Sequence, residues 1–156
     1  RHALELYLKA FVLQGAALSG LLSPEGPAID LDGVLRCHRL SWFLPRLNAV
    51  FKAIGWTWDT DVTGVESFAQ FEMLVSSIED LDPDSYSFRY PINTRGSANI
   101  PAKLLINVLH FAKSMDPVLE LLDGGVTGVE ERWAKRAQVE LLLRDLFEDP
   151  PMENGV

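Results

Sequence analysis

Arg1-His2-Ala3-Leu4-Glu5-Leu6-Tyr7-Leu8-Lys9-Ala10-Phe11 decides the fold class of this chain. At about 100° per residue, Arg1, His2, Glu5 and Lys9 fall in one narrow arc of a helix, and Leu4, Leu6, Tyr7, Leu8 and Phe11 cover the rest. A helix with so little polar surface is expected to be nearly surrounded by protein. The pattern is already under way at Arg1, with no initiator methionine or capping residue ahead of it, so the sequence reads as truncated at its N-terminus.

Working outward, 156 residues suit a single domain with a substantial core. The 47% hydrophobic and 23% charged residues are the balance of a globular chain rather than a disordered one. Cys37 is the single cysteine, which excludes an internal disulfide and points to a reducing compartment, the cytoplasm. The apolar run from Ala10 to Leu22 is interrupted by Gln14 and Ser19 and is shorter than the roughly 20 residues of a membrane span. Glu5 also stands where a signal peptide would be basic, so no membrane association is expected.

A net charge of -8 argues against the whole chain acting as a nucleic-acid clamp. The distribution matters more than the sum. From Asp61 to Asp84 there are seven acids and no base, whereas from Ser85 to Lys113 there are Arg89, Arg95, Lys103 and Lys113 and no acid. That second block can form a local positive patch, or its bases can pair with the acids that precede them.

Helical periodicity and punctuation divide the chain into about five helices. The first is expected from Arg1 to about Leu22, stopped by Ser23-Pro24-Glu25-Gly26-Pro27. After a connector through Asp30, Asp32 and Gly33, a second starts near Leu35 or His38 and runs to Ile54. Its apolar face is Leu40, Phe43, Leu44, Leu47, Val50, Phe51 and Ile54, with Pro45 as a kink or first turn and Gly55 as C-cap. Thr63-Gly64-Val65-Glu66 and Thr127-Gly128-Val129-Glu130 both read as capping boxes. They predict helices over about 65–81 and 129–147. Residues 85–98, with alternating aromatics, Pro91 and turn residues, are expected to be extended. A helix from about Ile100 to Leu122 follows, capped by Asn99, bent at Pro117 and closed by Gly124-Gly125.

The opening run, His38-Arg39-Leu40 at a helix start, and Asp82-Pro83-Asp84-Ser85-Tyr86-Ser87-Phe88-Arg89-Tyr90-Pro91 ahead of a later helix together resemble bacterial HEPN-type domains over roughly residues 1–122. The resemblance implies an all-α, antiparallel bundle of about five helices in one domain spanning 1–156, with the helix near 128–148 as an addition to the core. It implies a homodimer or a cognate partner protein, RNA as a target, and a place in a bacterial toxin-antitoxin or defence system. Some members of that family are metal-independent ribonucleases, and others serve as binding or assembly modules.

The family's nuclease signature is an arginine followed within about four to six residues by a histidine: the cation stabilises charge on phosphorus and the imidazole moves a proton. No arginine stands at that distance before His38 or His110. Lys103 precedes His110 by seven positions, which puts the two on one helix face, so a lysine version of the catalytic pair is a candidate, although lysine lacks the planar double donor of arginine. Nucleic-acid contacts would fall to Arg89, Arg95, Lys103 and Lys113.

Other residues carry their own alternatives. His2, Glu5 and Lys9 form either a wet stripe held by i, i+4 pairs or a buried polar network with Arg89. Trp56 and Trp58 with Asp59 and Asp61 make either a partner or sugar platform or a core anchor. His2, His38 and His110 are too dispersed for a metal motif, and no cofactor is expected. The leading expectation is an intracellular binding or assembly module, with a degenerate ribonuclease and a purely structural interaction domain as the other two readings.

Overall fold

The computed structural model describes residues 1–20, 29–82, 90, 92, 95–98 and 107–147. Among these residues it is an all-α bundle of five helices: α1 (His2–Ser19), α2 (Leu31–Arg36), α3 (Leu40–Ile54), α4 (Phe68–Leu81) and α5 (Val108–Phe147). Among the described residues there is no strand, only an isolated antiparallel bridge between Ile92 and Ala98 around the Gly96 turn. Much of the expected extended segment 85–98, including 85–89, lies outside the described residues.

The opening helix takes the central place. Leu4, Leu8, Phe11, Val12 and Ala16 are buried, and α1 packs chiefly on α3 and α5, with α2 across it. It is not wholly enclosed, since Leu6 remains half exposed. It ends at Ser19 rather than Leu22 because Gly20 turns into the left-handed region at φ 72°, where its amide closes onto the carbonyls of Ala16 and Ala17. The proline-rich stretch expected to stop it falls outside the described residues.

The connector through Asp30, Asp32 and Gly33 forms the short α2, which plants Val34 in the core. α3 buries the expected face, Leu40, Phe43, Leu44, Leu47 and Val50, and carries Pro45 within its length, with the ring on the exposed side. Its own N-cap, Arg39, offers no capping bond. Glu79 of α4 supplies one, its Oε2 accepting from the Ser41 amide at 3.0 Å, where a carboxylate also complements the helix dipole.

α4 begins at Phe68, three residues later than the Thr63–Glu66 pattern suggests. Ser67 and Gln70 form the capping box, Ser67 Oγ accepting from the Gln70 amide while Gln70 Oε1 accepts from the Ser67 amide. Gly64 at φ 88° cannot begin a helix, and the Val65 carbonyl is taken by the Trp58 indole N–H at 2.8 Å. The second such pattern, Thr127 to Glu130, lies in the middle of α5, where Glu130 accepts from Gln14 at 2.9 Å.

The largest departure is α5, a single helix of 40 residues where two were expected. It continues through Pro117 and Gly124-Gly125 because its buried residues, Met115, Val118, Leu122 and Val129, keep one helical stripe against α1. The glycines act as contact points rather than stops. A Cβ on Gly125 would overlap the Phe11 ring, and one on Gly128 would approach Trp56 to 2.9 Å. Gly15 does the same between α1 and α3, where a Cβ would overlap Val50.

Chain directions follow from the contacts. Tyr7 meets Asp123 and Gln14 meets Glu130, so α1 and α5 run the same way. Glu5 meets His38 just before α3 and Gly15 meets Val50 near its end, so α3 shares that direction. The antiparallel relation belongs to α4, whose Glu79 reaches the start of α3.

Adjacent glycines of α5 should respond oppositely to one change. Gly125→Ala forces a methyl into the Phe11 ring and should cost about 1–3 kcal/mol. Gly124→Ala meets no atom within 4 Å and should gain up to about 1 kcal/mol from helix propensity. Urea melts of the two variants check this; equal shifts would contradict the packing.

Candidate functional site

The polar arc of α1 closes on a buried carboxylate. Glu5, 1% exposed, pairs with Arg1 at 2.8 Å, with Lys9 at 3.0 Å and with His38 Nδ1 at 2.9 Å. Each partner reaches onward. Arg1 Nε donates to the Asp82 carbonyl at 2.8 Å and its Nη2 to the His38 carbonyl, while Lys9 Nζ donates to the Leu35 carbonyl at 3.0 Å. One carboxylate thus joins α1 to the end of α2, the start of α3 and the end of α4. Burial works to raise the Glu5 pKa, but the hydrogen bonds and charges of His38 and Lys9 outweigh it and hold the group below its ordinary value.

This differs from the expected membership. His2 is exposed on the outer face of α1, and the imidazole that meets Glu5 is that of His38. Helical spacing alone puts His2 on the arc, but the arc is about 100° wide and His2 stands at the edge farthest from the buried face of Leu4, Leu8, Phe11 and Val12. Arg89, the other expected member, lies outside the described residues. With its oxygens occupied and its surface buried, Glu5 holds the fold together rather than facing a substrate.

The residues expected to contact RNA do not gather into a described site. Lys103 and Arg89 lie outside the described residues. His110 sits exposed in the first turn of α5, its amide bonded to Asn107 Oδ1 at 3.0 Å, which makes Asn107 the cap of α5, while the expected cap Asn99 lies outside the described residues. Lys113 is exposed one turn on, and Arg95 is exposed at the Gly96 turn. No cluster of metal-ligating side chains occurs among the described residues, and no helix searched there is long and apolar enough to cross a membrane.

The tryptophan loop is an anchor with a groove beside it. Trp58 lies against Phe51 and Phe71, with ring centroids at 5.6 and 4.7 Å. Trp56 stands edge-on to both Phe11 and Phe51 at 5.9 Å. Between this loop and α5 runs a groove of about 320 Å³, with Asp59 and Glu120 among its lining and Asp61 outside it.

The feature least visible in the sequence is what α5 does beyond the bundle. Arg132 donates to the Ile54 carbonyl at 2.6 Å and lies 5.0 Å over the Trp56 ring, and Arg136 donates to the Leu18 carbonyl at 2.9 Å. These arginines cap the C-terminal ends of α3 and α1, where the exposed carbonyls and dipole favour cations. Past them, Val139, Leu141, Leu142, Leu143 and Leu146 are exposed, Leu146 to 76%. At the other end Val108, Leu109 and Phe111 are also exposed, Leu109 to 76%. The leucine triplet at 141–143 was a signal for this surface, but a sequence reading assigns such residues to a core by default.

Comparisons with protein-family models, with curated proteins and with solved structures give no match.

Because the Glu5 pKa lies lower in the folded than in the unfolded chain, its contribution is complete above the unfolded value and is lost as pH falls through the folded one. Stability should therefore decline from about pH 4.5 downward. Glu5→Gln, which leaves Arg1 and Lys9 without their counter-charge, should cost about 3 kcal/mol at neutral pH and flatten that acid limb. Urea melts from pH 3 to 7 measure both; a variant with an unchanged acid limb would remove Glu5 from this role.

Proposed function

We propose that this chain is a HEPN-like assembly module of the cytoplasm that pairs with a second copy of itself through the projecting C-terminal part of α5. The observation that carries the reading is the exposed stripe Val139, Leu142, Leu143 and Leu146. These positions lie within about 100° of the helix circumference. Their spacing of three, one and three residues reads the same from either end. Two copies related by a two-fold axis therefore present matching stripes, with Val139 opposite the partner's Leu146 and Leu142 opposite the partner's Leu143. An exposed row of large apolar side chains is costly in water and is relieved by such pairing.

RNA contact at the opposite end of α5 is a second reading. Its support is that His110 and Lys113 are exposed there one turn apart on one face of α5, an imidazole and a cation of the kind that meets phosphate. The family resemblance adds a toxin-antitoxin or defence setting. Cleavage has less behind it, since His110 has no described catalytic neighbour and Lys103 lies outside the described residues.

Light scattering on the purified protein should give about twice the chain mass of 17.4 kDa. The double variant Leu142→Glu, Leu146→Glu should shift the assembly to monomer, weakening it about a hundredfold or more, with helix content unchanged. A wild-type monomer at 100 μM, or a variant that still dimerises, would reject the pairing. For the RNA reading, Lys113→Ala should weaken binding of a single-stranded oligonucleotide and lower its salt slope.

A further inference from the structure

The groove beside the tryptophan loop has a wall composition that selects for one kind of ligand. Its apolar lining is aromatic on the loop side, Phe51, Trp56 and Trp58 over the buried Phe11, which stacks on Phe51 at 5.3 Å, and aliphatic on the α5 side, Leu121 and Leu122. Two carboxylates, Asp59 and Glu120, line it, and no basic residue is among its lining. Both acids are exposed, so they act from the rim rather than the floor. Gly124 forms part of the wall, and a side chain there would meet nothing within 4 Å.

The loop is held in place before any ligand arrives. The Trp56 amide donates to the Phe51 carbonyl at 2.8 Å, the Trp58 indole N–H to the Val65 carbonyl at 2.8 Å, and the Val62 amide to Thr60 Oγ1 at 3.2 Å. A groove of about 320 Å³ on so fixed a loop falls at the small end of the range for ligand pockets. The ring faces carry negative potential, and the cation already seated on Trp56 is the guanidinium of Arg132, outside the groove lining.

We propose that this groove binds a small organic cation with an alkylated ammonium head, of the trimethylammonium type. The acid rim supplies the opposite charge, and the aromatic walls accept a head whose surface is carbon. A primary ammonium suits it less. Such a group carries three N–H donors that need acceptors, and the carboxylates that could accept from it stand at the rim rather than the floor.

Calorimetric titration of the full chain with choline, with its neutral isostere 3,3-dimethylbutan-1-ol and with N-acetyl-lysine amide tests the assignment. Choline should saturate one site per chain, weaken as salt rises, and bind at least tenfold more tightly than either of the others. Asp59→Asn with Glu120→Gln should weaken choline about tenfold or more, and Gly124→Leu should abolish binding, each with an unchanged circular dichroism spectrum. No saturation by choline at millimolar concentration, or equal binding of the alcohol, would overturn the proposal. Tighter binding of the lysine derivative, or full binding by Gly124→Leu, would overturn it as well.

Discussion

The buried charge of Glu5 is the constraint around which the bundle is arranged. A carboxylate removed from water must be met by donors on all sides, and here they come from one turn before it, one turn after it and the segment leading into α3. Arg1 and Lys9 then spend their remaining donors on carbonyls at the ends of α2 and α4 and ahead of α3. Four helices are brought to a common point. The apolar contacts of Leu4, Leu8 and Phe11 supply most of the burial, but they are tolerant of sliding, whereas a charge with directional partners is not. Register between α1 and its neighbours is the property this cluster controls.

The opposite end of the bundle uses the same logic with the charges reversed. Arg132 and Arg136 of α5 reach the terminal carbonyls of α3 and α1, so the long helix is fastened to the helix ends that run alongside it. Between these polar ends, glycines set the spacing. Gly15 and Gly125 let α3 and α5 approach α1 closely, and the Phe11 ring fills the space a side chain at Gly125 would take. The parallel course of α1, α3 and α5 leaves α4 to run the other way, with Glu79 capping the start of α3.

A consequence is that α5 is far longer than its support. At 1.5 Å per residue it spans about 60 Å, against about 27 Å for α1, and apolar side chains are exposed on both overhangs. The site is therefore less a single pocket than a helix offered at two ends, with the aromatic groove between them. Of the expected functional residues, His110 and Lys113 fall on one overhang, whereas Trp56 and Trp58 divide between anchoring the loop and lining the groove.

The sequence by itself determined the all-α class, the buried face of α3, the Gly55 terminus and the polar pairs of Glu5 with Arg1 and Lys9, because each depends on spacing within one helix. It could not determine that His38 rather than His2 completes the cluster, since that choice depends on where a loop 33 residues away comes to rest. It misplaced the start of α4 because Thr63 and Ser67 carry similar local chemistry, and the left-handed turn at Gly64 together with the Trp58 bond to Val65 separates them. It divided α5 at Gly124-Gly125 because glycine ends helices when it has nothing to pack against. The tertiary structure decided otherwise: close contact with the Phe11 ring, a residue more than a hundred positions away, makes a continuous helix through those glycines the better-packed state.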